Sequence, residues 1–481
     1  KVMPQWFNFK LKIIKTIRKK LKYEKDILFI KHHLSHAANF FQSSFDKAAI
    51  VTSDGVGEWT TTAYGYGENN RINLLEEIKF PSSLGLFYST ITAYLGFRVN
   101  NSEYKVMGLA SYGNQNKKTN KYFRLLKKII NIKPDGSYNL DMSFFEFHFK
   151  EQMFSEKLNK LLGKSKRLKD QRISSRHKDI AAALQIIYEE VLFKILNYVH
   201  KKTNQKNLVL SGGTALNSVA NGKIIANTGF ENMWIAPDPG DGGASMGVTE
   251  YIYHEILNKK RKVKFDDPYL GPEFSNEFIQ ANLVKKKLVY TEYNNEKKLI
   301  DLVSTLLKKN FVVGWFQGRM EWGPRALGSR SILANPLNPN AKEILNSKIK
   351  FREIFRPFAP VVCKDDANKY FDCDNPIPDP TQFMLMVYQV RKKWIKKIKS
   401  VVHIDDSVRL QVITRNQNKL YYDLIKEFGK KTGIPMLINT SFNVSGEPIV
   451  CTPNDAIKTF LNSGMDYLVI GNYLVSKKYL I

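Results

Sequence analysis

The chain has 481 residues, 43% of them hydrophobic and 12% aromatic, which is enough material to bury cores for two or three domains. Its three cysteines, Cys363, Cys373 and Cys451, show no CxxC spacing and leave one over, which argues against a disulfide framework or a cysteine zinc site and for a reducing cytoplasm. Lysine and arginine outnumber aspartate and glutamate by 74 to 45, a net charge of +29, yet the basic runs lack aromatics arranged for base stacking, so the excess reads as solvated lysine rather than a nucleic-acid surface.

The opening 25 residues, KVMPQWFNFKLKIIKTIRKKLKYEK, are basic and amphipathic but lack the unbroken apolar stretch of a signal peptide. No apolar run long enough for a membrane span follows. KHHLSHAANFF (31–41) then places three of the eight histidines within five positions. A helix over 32–42 puts His32 and His36 one turn apart on one face, where two imidazoles can grip a cation whose other ligands come from elsewhere. The alternative is a hydrogen-bonded pair at a helix start. His33 points about 100° away and reads as a substrate contact or a structural group.

AAIVTSDGVG (48–57) is a strand running into a small-residue loop with Asp54, Gly55 and Gly57. The lysine-rich stretch 112–172 is less regular and reads as an insertion or peripheral lobe. HKDIAAALQIIYEEVLFKILNYVHKK (177–202) repeats apolar residues every three to four positions, a helix. NLVLSGGTALN (207–217) is a strand followed by a glycine turn, and Ser211, Gly212, Gly213, Thr214 and Asn217 are candidates to hold nucleotide phosphates. It matches neither GxGxxG nor GxxxxGK[ST]. MWIAPDPGDGG (233–243) ends a third strand and supplies Asp241, with Asp238 competing for the same role. Carboxylates at strand ends sit where α/β sheets bind ligands, and two histidines with one or two aspartates suit iron(II) or another divalent ion.

NKKRKVKFDDPYLGPEFS (258–275) reads as a junction, with a boundary near 265. A second α/β pattern follows: a strand at FVVGWF (311–316), a helix near 423–433, a strand PMLINTSFN (435–443) and a closing DYLVIGNYLV (466–475). GRMEWGPRALGSRSIL carries Arg319, Arg325 and Arg330, and FREIFRPFAP adds Arg352 and Arg356. Five arginines among glycines, prolines and aromatics point to an oxyanion pocket. Asn439 and Ser441 in NTSFN offer hydrogen bonds to a ligand. His403 and Arg409 in VHIDDSVRLQ serve equally well as structural residues.

HHLSHAA, TSDGVGEW, EYKVMGLASYG, LSGGTALN, the PGDGG loop, GRMEWGPRALGSRSIL, FREIFRPFAP and NTSFNVSGEPIV together resemble, in order from about residue 28 to 475, the NodU/CmcH-type O-carbamoyltransferases. The resemblance implies an α/β protein with an actin-like (ASKHA) metal-and-nucleotide module over residues 1–264 and a YrdC-like module over 265–481. The YrdC-like part would make carbamoyl adenylate from carbamoyl phosphate and ATP with Mg(II). The actin-like part would pass the carbamoyl group to a hydroxyl of an acceptor, sugars among the candidates. Carried over, His32, His36, Asp54 and Asp241 would hold a divalent metal, with iron(II) the implied ion. The SGGTALN turn, with Gly55 and Gly57, would hold nucleotide. Arg319, Arg325, Arg330, Arg352, Arg356, Asn439 and Ser441 would line the carbamoyl phosphate and ATP pocket. A homodimer is compatible with this reading. The family's opening strand, with its Gly-x-x-x-His-Asp-Ser/Ala motif, has no counterpart here, so an N-terminal truncation lacking the first hairpin is expected. The rivals are a tRNA threonylcarbamoyladenosine-type modification enzyme, a non-catalytic polyanion-binding relative and a kinase of the actin-like class.

Overall fold

In the computed structural model, residues 2–261, 265, 267–353 and 355–477 are described. The β-rich runs of the first half pair into a five-stranded mixed sheet. β1 (Lys47–Gly57), β2 (Thr60–Glu68) and β3 (Arg71–Lys79) form an antiparallel meander. After a small hairpin of β4 (Ile130–Ile132) and β5 (Tyr138–Leu140), β6 (Asn207–Ser211) and β7 (Asn232–Trp234) join parallel to β1, giving the order β3-β2-β1-β6-β7. The inner strands β1 and β6 carry apolar residues on both faces because helices cover the sheet.

The longest helix, Ser175–Thr203, contains the expected 177–202. Ser174 and His177 close its N-terminus reciprocally, and Asn204 in the left-handed region ends it. Ile180, Leu184, Ile187, Val191 and Ile195 form its buried face. The irregular stretch 112–172 packs on this helix through Lys121–Leu126, and its Tyr122, Leu126, Tyr138, Phe145 and Leu158 are buried in the main core. The histidine run is helical over His32–Ala37 and tightens to a 3-10 turn over Ala38–Gln42.

The second half forms a nine-stranded sheet from β8 (Tyr290–Glu292), β9 (Val313–Phe316), β10 (Arg330–Ala334), β11 (Ala359–Cys363), β12 (Met386–Gln389), β13 (Ser407–Ile413), β14 (Met436–Ser441), β15 (Tyr467–Ile470) and β16 (Tyr473–Ser476). Their order is β12-β13-β11-β14-β10-β9-β15-β16-β8. The run 466–475 is therefore two strands, turned at Gly471. Helices Glu296–Lys308 and Lys419–Thr432 cover one face of the sheet with a separate apolar cluster that includes Leu299, Leu307, Trp315, Leu424 and Phe428. The main core is continuous across both halves, as where Trp234 meets Phe383 with ring centroids 5.8 Å apart. The expected boundary between 264 and 265 falls where residues 262–264 and 266 lie outside those described. Among the described residues, no helix is long and apolar enough to cross a membrane.

Candidate active site

Two charged sites of opposite sign lie in this frame. The first gathers His32, His36, Asp54 and Asp241, whose ligand atoms all fall within 4.8 Å of one another. His32 Nε2 lies 3.1 Å from His36 Nε2 and 3.0 Å from Asp54 Oδ2. His36 Nε2 is 3.3 Å from Asp54 Oδ2, and Asp241 Oδ1 is 3.6 and 3.5 Å from the two imidazoles. A cation held at about 2.1 Å by each of several N and O ligands requires neighbouring ligands to stand just over 3 Å apart. The four residues fit a divalent ion.

Each ligand is set by its own element. The histidine helix and the helix Asp241–Tyr251 cross most closely at Gly247, where a Cβ would lie 1.9 Å from the Ser35 carbonyl oxygen. This approach brings Asp241, at the start of its helix, over the imidazoles. Asp54 sits near the end of β1, where Oδ1 accepts from Gly55 N at 2.7 Å and Gly213 N at 3.3 Å, leaving Oδ2 to face the histidines. Gly57 lies flat against His32, so an added Cβ would fall 2.1 Å from the ring. Burial works against charge on Asp54, but hydrogen bonds from His32 and His36 hold its carboxyl well below the usual range. Burial likewise opposes the His36 proton, yet Asp241 and Asp54 raise its pKa to about 9. A bound cation would displace that proton.

His33 is a structural group. Its Nε2 donates to Thr60 O at 2.9 Å, which leaves Nδ1 to accept from the Thr52 hydroxyl at 2.7 Å. Burial and the neighbouring His32 lower its pKa to about 4. Asp238 stands outside the four-residue group. Its Oδ1 accepts from Gly240 N, and burial raises its pKa.

The SGGTALN turn lies against this group and is largely occupied by its own fold. Gly212, with φ of +91°, donates to Pro239 O at 2.8 Å, and Ser211 Oγ accepts from Asn39. The Thr214 hydroxyl donates to Ser53 O, and Asn217 caps the short helix Ser218–Asn221 while exchanging hydrogen bonds with Gln185.

The second site is a cavity of about 600 Å³ between the halves, with Gln185, Glu189 and Ser218 on one wall and Arg325, Arg352, Arg356, Arg409, Asn439 and Ser441 on the other. Two of its carboxylates are matched by lysines and the third by a hydroxyl. Glu189 faces Lys223 at 2.8 Å, Glu190 faces Lys127 at 2.9 Å, and Asp405 accepts from the Ser407 hydroxyl at 2.6 Å, with His403 Nδ1 3.4 Å away. Among the described residues, Arg325, Arg352 and Arg409 have no carboxylate within 4.0 Å, and the Nε atoms of Arg325 and Arg409 are buried without a partner. Burial first, and then mutual repulsion with Arg325, Arg352 and Arg356, pushes Arg409 well below the usual guanidinium range. Burial and Arg356 lower the pKa of Arg352 to about 9. Uncompensated guanidiniums this close call for an anion.

Three arginines named from the sequence differ in where they stand relative to this cavity. Arg319 does not line it. It is exposed and donates to the Gly271 and Leu270 carbonyls. Arg330 is fully buried in β10, lies over Phe316, and spends its guanidinium on the carbonyls of Gln317, Gly318, Ser329 and Pro272. Arg409, left open between ligand and structural roles, lines the cavity. The sequence reading missed Lys350, whose buried ammonium donates to Ser441 Oγ at 3.2 Å and Asn443 Oδ1 at 2.7 Å. Burial, with Arg352 and Arg356 nearby, lowers its pKa well below the lysine range. No sequence signal distinguishes it among the many lysines.

The loops of the two sites touch. Gly323, beside Pro324 and Arg325 of the cavity wall, packs on the Pro237 carbonyl of the loop that leads to Asp241.

Comparison with known proteins adds a family. The carbamoyltransferase N-terminus matches residues 4–249, and the carbamoyltransferase C-terminus matches residues 304–477. An uncharacterized protein of Synechocystis is 41% identical over 99% of this chain and 82% of its own length. Nodulation protein NolO of Bradyrhizobium diazoefficiens is 32% identical over 93% of this chain and 79% of its own. Nodulation protein NolNO of Sinorhizobium fredii is 34% identical over 94% of this chain and 64% of its own. The solved structure of full-length HypF in its phosphate- and nucleotide-bound form aligns over 38% of this chain and 22% of its own, at 17% identity and a TM-score of 0.28, too distant to inform the chemistry.

Proposed function

The chain belongs to the carbamoyltransferase family, and on that premise we propose that it makes carbamoyl adenylate in the arginine cavity and transfers the carbamoyl group to an acceptor hydroxyl beside the four-residue metal group. The observation that carries the reading is the surplus of guanidinium in the cavity, where Glu189 and Glu190 are paired with lysines and, among the described residues, Arg325, Arg352 and Arg409 have no carboxylate beside them. Carbamoyl phosphate and ATP are anions of the size and charge such a wall accommodates.

The chemistry balances in three steps. Water attacks the carbamoyl carbon of carbamoyl phosphate, the bond to the phosphate oxygen breaks, and carbamate and phosphate result. A carbamate oxygen attacks the α-phosphorus of ATP with Mg(II), and pyrophosphate leaves. The acceptor hydroxyl then attacks the carbonyl of the adenylate, AMP departs, and the hydroxyl proton passes to solvent.

Arg325, Arg352, Arg356 and Arg409 stabilise charge that accumulates on the departing phosphates. Asn439 and Ser441, fixed by Gln411 and Lys350, orient the substrate. In the metal group, a divalent cation, iron(II) by preference, would polarise the carbonyl or phosphoryl oxygen of the adenylate. Gly55 and Gly213 hold Asp54 in place for that ion, and the SGGTALN turn lies where it can contact the nucleotide. Placing both sites in one chain keeps a mixed anhydride away from bulk water. The reading divides the chain into an actin-like module over 1–264 and a YrdC-like module over 265–481.

The test is mass detection of carbamoyl adenylate, with pyrophosphate release, on mixing the protein with carbamoyl phosphate and ATP. Pyrophosphate that appears only when both substrates are present supports the reading. Binding of both without pyrophosphate release favours the non-catalytic anion-binding relative.

A further inference from the structure

Arg356 lies against the other half of the chain. The segment between Lys350 and β11 carries Arg352 and Arg356, and its described residues form neither helix nor strand. Arg352 is anchored within its own half: Nε donates to Asn346 Oδ1 at 2.8 Å and the guanidinium lies over Phe358. Arg356 instead reaches the first-half helix Glu103–Ala110. Its guanidinium lies 4.8 Å over the Tyr104 ring, and its Nη1 is 3.6 Å from Glu353 Oε2. The other oxygen of Glu353 accepts from Lys105 Nζ at 2.8 Å. Just past the helix, the Tyr112 hydroxyl donates to Phe355 O at 3.2 Å, and Ser111 Oγ lies 2.8 Å from His403 Nδ1.

Arg356 points into a cavity that already holds Arg325, Arg352 and Arg409. Like charges repel, so without a counter-contact this side chain gains by turning out to solvent. Glu353 is the carboxylate that opposes the turn, and Lys105 fixes Glu353. Neither Lys105 nor Glu353 lines the cavity.

We propose that Lys105 and Glu353, with Tyr104, are positioning residues that hold Arg356 against the anion in the cavity, so that the first half completes the adenylate-forming site. The proposal rests on the cavity being the carbamoyl phosphate site.

The test uses the full chain and titrates it calorimetrically with carbamoyl phosphate, alongside pyrophosphate-release kinetics. Lys105→Met and Glu353→Gln each weaken binding by about tenfold, a typical coupling for contacting charged residues. KM for carbamoyl phosphate rises more than kcat falls. Lys105→Arg, which keeps the charge, restores binding to within about twofold of the wild type. The double variant Lys105→Met/Glu353→Gln is no worse than Glu353→Gln alone, because both changes break one chain of contacts. Thermal melts identify any variant that is simply unfolded. Wild-type affinity in Lys105→Met, equal damage in Lys105→Arg, or additive losses in the double variant would overturn the proposal. If the wild type binds carbamoyl phosphate but releases no pyrophosphate, the functional reading fails and the binding series still decides the clamp. If it binds none, both fail.

Discussion

The metal group and the arginine cavity are both dense in charge, but they are balanced differently. In the first, two imidazoles and two carboxylates converge on one point, and each ligand is held by a rigid element: two helices and the end of a strand. In the second, four guanidiniums face a shared space, Glu189 and Glu190 are engaged by lysines, and among the described residues only Arg356 of the four has a carboxylate within 4.0 Å, that of Glu353. The first arrangement sets carboxylates against imidazoles that share a proton, and the second sets guanidiniums against one another, three of them with no carboxylate beside them among the described residues. Counting charged residues would treat the two alike. Their partners separate them, and the proposed roles, a cation in one half and phosphates in the space between, rest on that difference.

The sharpest way to break this contrast is to remove a guanidinium. Arg409→Ala should lower kcat/KM for pyrophosphate release by about 10²–10³, the scale of losing one charge-stabilising donor, while metal content stays as in the wild type. Next, His32→Ala should weaken iron(II) binding by at least about 100-fold, since loss of a ligand exceeds the effect of losing an outer partner. Metal analysis of anaerobically purified protein reads this directly. A third variant separates ligand arginines from structural ones. Arg330→Met should cost about 2 kcal/mol of stability by stranding the buried carbonyls it serves, with carbamoyl phosphate affinity of the folded protein unchanged. If that affinity falls instead, Arg330 belongs with the cavity. The smallest effect should come from Gly57→Ala, where the added methyl presses on the His32 ring. Overpacking of about 1 kcal/mol should appear as a severalfold loss of metal affinity, with no change in pyrophosphate release.

Much of this was legible in the sequence, for reasons that differ by site. The histidine pair follows from helical periodicity, which is local; carboxylates placed at strand ends mark Asp54 but leave Asp238 and Asp241 competing, and the family resemblance implied Asp241. The arginines were harder. Composition marks GRMEWGPRALGSRSIL as rich in guanidinium, but it cannot tell a side chain that faces a cavity from one that faces backbone carbonyls. Arg325 and Arg330 are five residues apart and do opposite things, because Arg330 lies in β10 with its guanidinium over Phe316 while Arg325 stands in the preceding loop. The short strands β10 to β13 are interrupted by prolines and charged residues, and their pairing joins segments far apart in the chain. The order of the nine-stranded sheet is therefore a tertiary property. Lys350 was invisible for a similar reason, since only burial beside Ser441 and Asn443 singles it out. The same holds for Lys105 and Glu353, which lie 248 positions apart.

The most direct measurement is a crossed titration. Metal-stripped wild type, His36→Ala and Arg409→Ala are each titrated with iron(II) under anaerobic conditions and, separately, with carbamoyl phosphate. The account predicts that His36→Ala loses the cation but binds carbamoyl phosphate within about twofold of the wild type, as expected for sites that share no partners, and that Arg409→Ala does the reverse. If each variant loses both ligands alike, the division into a cation site and an anion site is wrong.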